Sequence, residues 1–358
     1  MNKPLKILVS GPGLSGKQHI ALIEKRTDCQ LAAIVTPEPH AASSFNVPLF
    51  TSVENALAAL PIDAAIISSP NAFHAEQTLA CINHGVPVLV EKPMTESLQT
   101  ARTLVELSEL HHVPVLVGHH RAYSPLLKVA KKFLNSSQFG KAVAFQGTAL
   151  FYKPDNYFEA GPWRAKHGGG PLLINLIHEV GLMRFFLGEI ESVTAIASHT
   201  IRKFEVEDTV AITLRFKNGP LGTFLLSDCA ASNKSWELTS GENPSYPTHP
   251  EDDCYHFVGT NGSLDFPSMN VRYYKQDIAP SWWNAFHNDR LPINRQDPLQ
   301  KQLEHFIDVI HHKASPLVSA RDGYLNMLVV QAINDAINTQ RTVHIADVAE
   351  QLTKKPLS

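Results

Sequence analysis

The chain has 358 residues, 31 Lys and Arg against 34 Asp and Glu, a formal net charge of −3, and 44% apolar residues. The length suits two domains of ordinary size, each with enough apolar residues for a sizeable core. The near balance of charge and the lack of a long basic run argue against a nucleic-acid surface, and no apolar run approaches the roughly 20 residues that span a bilayer. Lys3 and Lys6 precede a short apolar stretch that ends in a glycine turn, unlike the long apolar region of a signal peptide. Cys29, Cys81, Cys229 and Cys254 are widely spaced and read as reduced thiols, not as a disulfide frame or zinc site. The expectation is a cytoplasmic protein that handles a small molecule, with neither nucleic acid nor membrane as partner.

The first 120 residues alternate short apolar runs with helical patterns. Leu5–Ser10 reads as a strand, Gly16–Lys25 as a helix and Leu31–Val35 as a second strand. Thr51-Ser52-Val53-Glu54 reads as a capping box that opens a helix over Val53–Leu60. Ala64–Ser68 is a third strand, and Asn71–His84 a helix closed by Gly85. Val86–Val90 is a fourth strand, Thr95–His111 an amphipathic helix and Val113–Val117 a fifth strand. Such alternation predicts a parallel, doubly wound sheet, because parallel neighbours need crossover connections.

Beyond about residue 122 the pattern changes. A helix over Ser124–Leu134 leads to strands joined by hairpin signals: Asn218-Gly219 between Val210–Phe216 and Leu221–Leu226, and Asn261-Gly262 between Tyr255–Val258 and Ser263–Phe266. A long polar loop over Ala231–Asp253 and late helices over Leu299–His312 and Gly323–Thr339 complete the reading. The fold class is α/β, with a doubly wound parallel domain over residues 1–121 and an α+β domain with a mostly antiparallel sheet over 122–358.

The unusual residues gather at one edge of the first sheet. Gly11-Pro12-Gly13-Leu14-Ser15-Gly16 follows strand one, Ser68-Ser69-Pro70-Asn71 strand three, Glu91-Lys92-Pro93 strand four, and Gly118-His119-His120-Arg121 strand five. All four lie at carboxyl ends, where open α/β sheets bind ligands. The glycines suit a tight turn, close approach of a pyrophosphate, and close helix–strand packing, so the loop reads as a dinucleotide cradle. At the end of strand two, where a carboxylate would grip a ribose 2′-hydroxyl, stands Thr36, followed by Pro37 and Glu38. The cofactor is therefore NAD or NADP, and the missing carboxylate tilts the reading towards NADP.

Lys92 ends an apolar run, with Glu91 as a local partner and Pro93 behind it. In a desolvated cleft beside an oxidised nicotinamide its ammonium would lose its proton more easily, which suits it to exchange a hydroxyl proton. Gly168-Gly169-Gly170-Pro171 opens an apolar helix over Leu172–Leu187, closed by Gly188. Asn175, His178 and Glu179 interrupt it at spacings that predict one shared face. That stripe is either a core hydrogen-bond cluster or a substrate face on which His178 handles a proton. His19 and His74, near the first turns of two helices, read as packing residues, and His111-His112 and His311-His312 as helix-end residues. No His, Cys, Asp and Glu set has metal-ligand spacing, so no metal is expected.

These marks taken together resemble the Gfo/Idh/MocA oxidoreductases, from Lys6 to about Ile345. They are the glycine loop with His19 following, Ser69-Pro70-Asn71 with His74 following, Glu91-Lys92-Pro93, and the glycine triplet before His178. The resemblance implies a Rossmann domain, a second domain with a large open sheet that often forms a dimer or tetramer interface, and reversible oxidation at a hydroxyl-bearing carbon of a sugar, polyol or cyclic diol. It makes Lys92 and His178 the catalytic candidates. Gly11, Gly13, Leu14, Ser15, Gly16, Thr36, Ser69, Pro70, Asn71, His74, Glu91, Lys92 and His119 are the cofactor-binding candidates. Lys92, Arg121, Tyr123, Trp163, Arg164, Asn175 and His178 are the substrate candidates, with Tyr152 and His167 in neighbouring segments. Many members carry an aspartate four residues before the histidine; here that position is Ile174, and Asn175 cannot ionise. A sensor of cofactor or sugar on the same fold, or a glycoside-cleaving member that recycles its NAD, are the rival readings.

Overall fold

The computed structural model describes residues 3–38 and 45–354. The chain divides into two compact units: residues 1–123 with 298–327, and residues 124–297 with 328–358.

In the first unit six parallel strands are β1 (Leu5–Ser10), β2 (Cys29–Val35), β3 (Leu49–Phe50), β4 (Ala64–Ile67), β5 (Val88–Val90) and β6 (Val115–Val117), in the order β3-β2-β1-β4-β5-β6. The order reverses direction between β1 and β4, the switch point at which doubly wound sheets open a ligand crevice. The helices between them are α1 (Leu14–Glu24), α2 (Val53–Ala59), α3 (His74–Asn83) and α4 (Leu98–Leu110). β3 has only two residues, too few to show a period, and escapes the sequence reading. The helix expected over Asn71–His84 begins instead as a 3-10 turn, Asn71–Phe73. The α2 cap falls one residue later than the capping box predicts: Ser52, not Thr51, accepts from Asn55 N.

Both sheet faces are covered, which is why the strands read as unbroken apolar runs. Leu8, Val35, Ile67, Val90 and Val117 belong to one buried cluster. Their neighbours Val9, Ile34, Ile66, Leu89 and Leu116 belong to the other. The second cluster also takes Leu303, Phe306, Ile307 and Val309 from α9 (Pro298–Ile310). Residues 298–327 thus group with the first unit, whereas the sequence reading puts everything after 121 in one domain. A segment that covers a sheet face from far along the chain leaves no local sign.

The second unit holds α5 (Pro125–Leu134), the short α6 (Asp155–Glu159) and a nine-stranded sheet. The strands are β7 (Ala142–Leu150), β8 (Ile190–Ser198), β9 (Thr209–Phe216), β10 (Leu221–Ser227), β11 (Tyr255–Gly259), β12 (Gly262–Phe266), β13 (Asn270–Tyr273), β14 (His287–Arg290) and β15 (Val343–His344). The order is β14-β13-β12-β11-β7-β10-β9-β8-β15, antiparallel throughout except for the β7–β10 pair. Asn218-Gly219 does turn a hairpin between β9 and β10. At the second hairpin Gly262 is the first residue of β12. A Cβ there would come within 2.5 Å of Gln138 O, so glycine is needed for close approach, not for the turn. The predicted helix over Leu172–Leu187 is two structures: a π-helical turn, Leu172–Leu176, then α7 (Ile177–Leu187). The polar stretch 231–253 carries one short helix, α8 (Trp236–Thr239).

Candidate functional site

In the first unit the loops after β1, β4, β5 and β6 meet at one edge. Gly11 has φ +83, and a Cβ on it would stand 2.5 Å from the Ser69 backbone. Gly16 lies under the loop, where a Cβ would meet Gly11 O at 2.1 Å and Ser68 Oγ at 2.8 Å. Gly13 differs: a Cβ there meets nothing within 4 Å among the described residues. It is the N-cap of α1, with no side-chain cap, so the first-turn N–H groups face an open approach suited to an anion. The donors, the helix end and the open space fit a dinucleotide pyrophosphate. Gln77 ties the neighbouring loops, its Oε1 accepting from Ser10 Oγ and Ser69 Oγ, both at 2.8 Å.

Lys92 leaves β5 between two residues held by histidines. His19 Nε2 lies 3.1 Å from Glu91 Oε1, which also accepts from Ser15 Oγ at 3.0 Å. His74 places Nδ1 2.9 Å from Pro93 O and Nε2 2.8 Å from Ser69 O. Both partners of His74 are main-chain carbonyls, which accept hydrogen bonds. His19 and His74 are therefore polar ties between loops, not the packing residues that the sequence suggests. The Lys92–Pro93 peptide is cis. Burial pushes the Glu91 carboxyl up, but the His19 hydrogen bond and the charges of His19, Lys92 and His120 outweigh it and hold the group down at about 2.

Thr36 directly follows β2 and is buried, its Oγ1 accepting from Glu38 N at 3.3 Å. Pro70 is exposed, Asn71 half-buried, and Leu14 exposed. His119 and Arg121 are buried, with Asn326 Nδ2 3.4 Å from His119 Nε2. Tyr123 is a member of a buried cluster and packs its ring 5.3 Å from that of His305; burial pushes its hydroxyl up.

In the second unit Asn175 sits on the π-turn and its Oδ1 accepts from Lys153 Nζ at 2.7 Å. Lysine only donates, so the amide nitrogen of Asn175 faces away from it. Lys153 is 3.6 Å from Asp228, which also receives Arg202 Nε at 2.7 Å. The guanidinium of Arg202 further reaches the carbonyls of Lys153 and Asp228. Glu207 caps the π-turn by accepting from Leu172 N at 2.9 Å, and burial pushes its carboxyl up against that bond. His178 is buried on α7. Glu179 is buried too and accepts from Tyr255 Oη on β11. Asn175 and Glu179 thus meet different partners, Lys153 and Tyr255, and a π-turn interrupts the 3.6-residue spacing on which the expectation rests. Trp163 is exposed, and Arg164 lies 4.0 Å over the Tyr157 ring. Tyr152 is exposed, with the Arg202 guanidinium 5.1 Å from its ring, and His167 is exposed.

Sequence reasoning misses Lys153, Arg202, Glu207 and Asp228. The signal available is a lysine and an aspartate just past two strand ends, which acquires meaning only once β7 pairs with β10. Among the described residues no group of three or more His, Cys, Asp or Glu could hold a metal ion, and no helix is long and apolar enough to cross a membrane.

Residues 5–119 match the model of the oxidoreductase family with an NAD-binding Rossmann fold, and residues 127–265 match the C-terminal domain of the GFO/IDH/MocA proteins. The chain belongs to the Gfo/Idh/MocA oxidoreductase family. Among relatives, it is 25% identical over 297 residues to 1,5-anhydro-D-fructose reductase of Ensifer adhaerens, covering 82% of this chain and 83% of that one. It is 32% identical over 154 residues to inositol 2-dehydrogenase of Corynebacterium glutamicum (strain R), 41% of this chain and 46% of that one. The WlbA dehydrogenase of Bordetella pertussis, solved with NADH and UDP-GlcNAcA, superposes with a TM-score of 0.76 at 20% identity, over 99% of this chain and 100% of that one. That likeness is one of fold. As a Gfo/Idh/MocA protein the chain is an oxidoreductase with an NAD-binding Rossmann domain.

Proposed function

We propose that this member of the family is a dehydrogenase or reductase that interconverts a secondary alcohol and a ketone on a sugar, polyol or cyclic diol. The observation that carries the reading is the convergence of the glycine cradle, the Ser69-Pro70-Asn71 turn and the Lys92 strand exit at the switch point of one parallel sheet. The names of the relatives, an anhydrofructose reductase and an inositol dehydrogenase, support the substrate class.

In this reading the first unit binds the cofactor, and the second binds substrate and other copies of the chain. A bound nicotinamide supplies the hydride acceptor or donor. Gly11, Gly13, Leu14, Ser15 and Gly16 hold its pyrophosphate at the start of α1, and Ser69, Pro70, Asn71, His74, Glu91 and His119 complete that edge. Lys92 holds or takes the hydroxyl proton at its Nζ, and His178 is the second candidate for moving a proton. Arg121, Tyr123, Trp163, Arg164 and Asn175 orient the substrate. Thr36 puts no carboxylate against a 2′-phosphate, so NADP is expected to bind at least as tightly as NAD. The open face of the second sheet supports a homodimer or homotetramer. There Ile196, Ala211, Thr213, Thr223, Leu225 and Gln146 present an uncharged surface on neighbouring strands.

The test is a screen of polyols, sugars and cyclic diols with NAD and NADP separately, followed by the absorbance of the reduced nicotinamide. Lys92→Met is expected to keep cofactor binding and lose most turnover, and His178→Ala to slow turnover and change its pH profile. Wild-type rates in Lys92→Met would remove the assigned role.

A further inference from the structure

Glu91 is held more firmly than a strand-end surface residue needs to be. Its main-chain N–H donates to Ile67 O on β4 at 2.8 Å, and the next strand's exit approaches it through Gly118 N, which donates to Val90 O at 2.7 Å. Gly118 has no side chain where Glu91 stands: a Cβ there would lie 2.9 Å from Glu91 Oε2 and 3.0 Å from its Cα. The other carboxyl oxygen takes Ser15 and His19, one turn apart on α1. An ionised carboxylate can only accept, so His19 Nε2 carries the hydrogen in that contact. The Glu91 side chain thus ties the β5 exit to α1, with the β6 exit passing close against it at Gly118, beside the residue read as the proton carrier.

We propose that Glu91 is a positioning residue for Lys92, fixing the strand exit against the glycine loop and favouring the protonated form of the Lys92 ammonium. The inference rests on the reading of Lys92 as the proton-handling group. The charged and titratable groups facing the carboxylate are His19 from α1, Lys92 on its own segment and His120 from the turn after β6. Of these Lys92 is the adjacent residue. The attraction is reciprocal: a lysine charge that keeps Glu91 ionised is itself kept by Glu91. A carboxylate ionised across the whole working pH range is a constant bias on the lysine. The positive charge of an oxidised nicotinamide opposes that bias and a neutral reduced ring does not. Lys92 is therefore set to keep its proton for reduction and to release it for oxidation.

The test uses the full chain without cofactor, labelled with 13C and 15N lysine. The Lys92 side-chain signal is the one missing from the Lys92→Met spectrum, and its midpoint is followed by pH titration. Glu91→Gln is expected to lower that midpoint by about one pH unit, the effect of losing a unit charge within roughly 10 Å at an effective dielectric of about 20. Glu91→Asp, which keeps the charge, is expected to recover most of the shift. An unchanged midpoint in Glu91→Gln overturns the proposal and leaves Glu91 as a purely structural tie. If Glu91→Gln does not fold, the wild-type chain labelled at glutamate 13Cδ serves. The Glu91 carboxyl signal must then show a second inflection at the Lys92 midpoint, and its absence overturns the proposal equally. Neither readout needs turnover, so a failure of the assigned catalysis in Lys92→Met is distinguishable from a failure here.

Discussion

Two glycines of the same loop, Gly13 and Gly16, separate cofactor binding from folding. At Gly13 an alanine Cβ enters open space, and the residue already has a negative φ, with φ −75 and ψ −155 in extended backbone. Losing glycine at an N-cap costs about 0.5 kcal/mol or somewhat more. The reduced freedom of the unfolded chain returns about 0.4–1 kcal/mol. Gly13→Ala should therefore leave stability within about 0.5 kcal/mol of wild type. The same methyl occupies the approach to the first turn of α1, so NADH affinity should fall at least about tenfold, some 1.4 kcal/mol. At Gly16 the geometry is reversed. The added Cβ would sit 2.1 Å from Gly11 O, and that carbonyl cannot retreat cheaply: it accepts from Ser68 Oγ at 2.9 Å, while Gly11 N donates to Val35 O at 2.9 Å. A helix-propensity gain of about 1 kcal/mol is outweighed by overpacking, for a net loss of about 2–4 kcal/mol. Urea denaturation followed by far-UV circular dichroism gives the stabilities, and fluorescence titration with NADH the affinities. A Gly13→Ala protein that binds NADH as wild type does would refute the cradle.

Other outcomes follow from the charged groups. The Glu91 carboxyl at about 2, against an ordinary 4.5, contributes stability that is fully present above the unfolded value and is lost as pH falls through about 2. Glu91→Gln should thus cost about 2–3 kcal/mol at pH 7, with the gap to wild type closing towards pH 2; a gap independent of pH would contradict the ionised tie. Circular dichroism is the probe to use, because Trp163, Trp236, Trp282 and Trp283 all lie in the second unit. Arg202→Met leaves buried Asp228 with Lys153 at 3.6 Å and removes donors from two carbonyls. A loss of about 3–5 kcal/mol is expected, read by tryptophan fluorescence in urea, and a loss below about 1 kcal/mol would show the cluster to be dispensable.

The strands of the parallel sheet are legible in the sequence because burial on both faces demands uninterrupted apolar residues, and the glycine loop because a positive φ at Gly11 and close approaches at Gly11 and Gly16 admit little else. The carboxyl-edge gathering of Lys92, Ser69 and His119 follows from strand direction alone. Pairing in space is not legible. His19 and His74 look like helix residues until Glu91, Pro93 and Ser69 arrive opposite them from loops 5 to 72 positions away. Lys153, Asp228 and Arg202 form a cluster only because β7 and β10 run side by side, and Asn175 reaches it from a capped π-turn, a local unwinding that no 3.6-residue pattern encodes. Hydrophobic periodicity records how each segment meets water. Which polar groups answer one another is decided when distant segments exclude that water together, and only the tertiary structure holds that information.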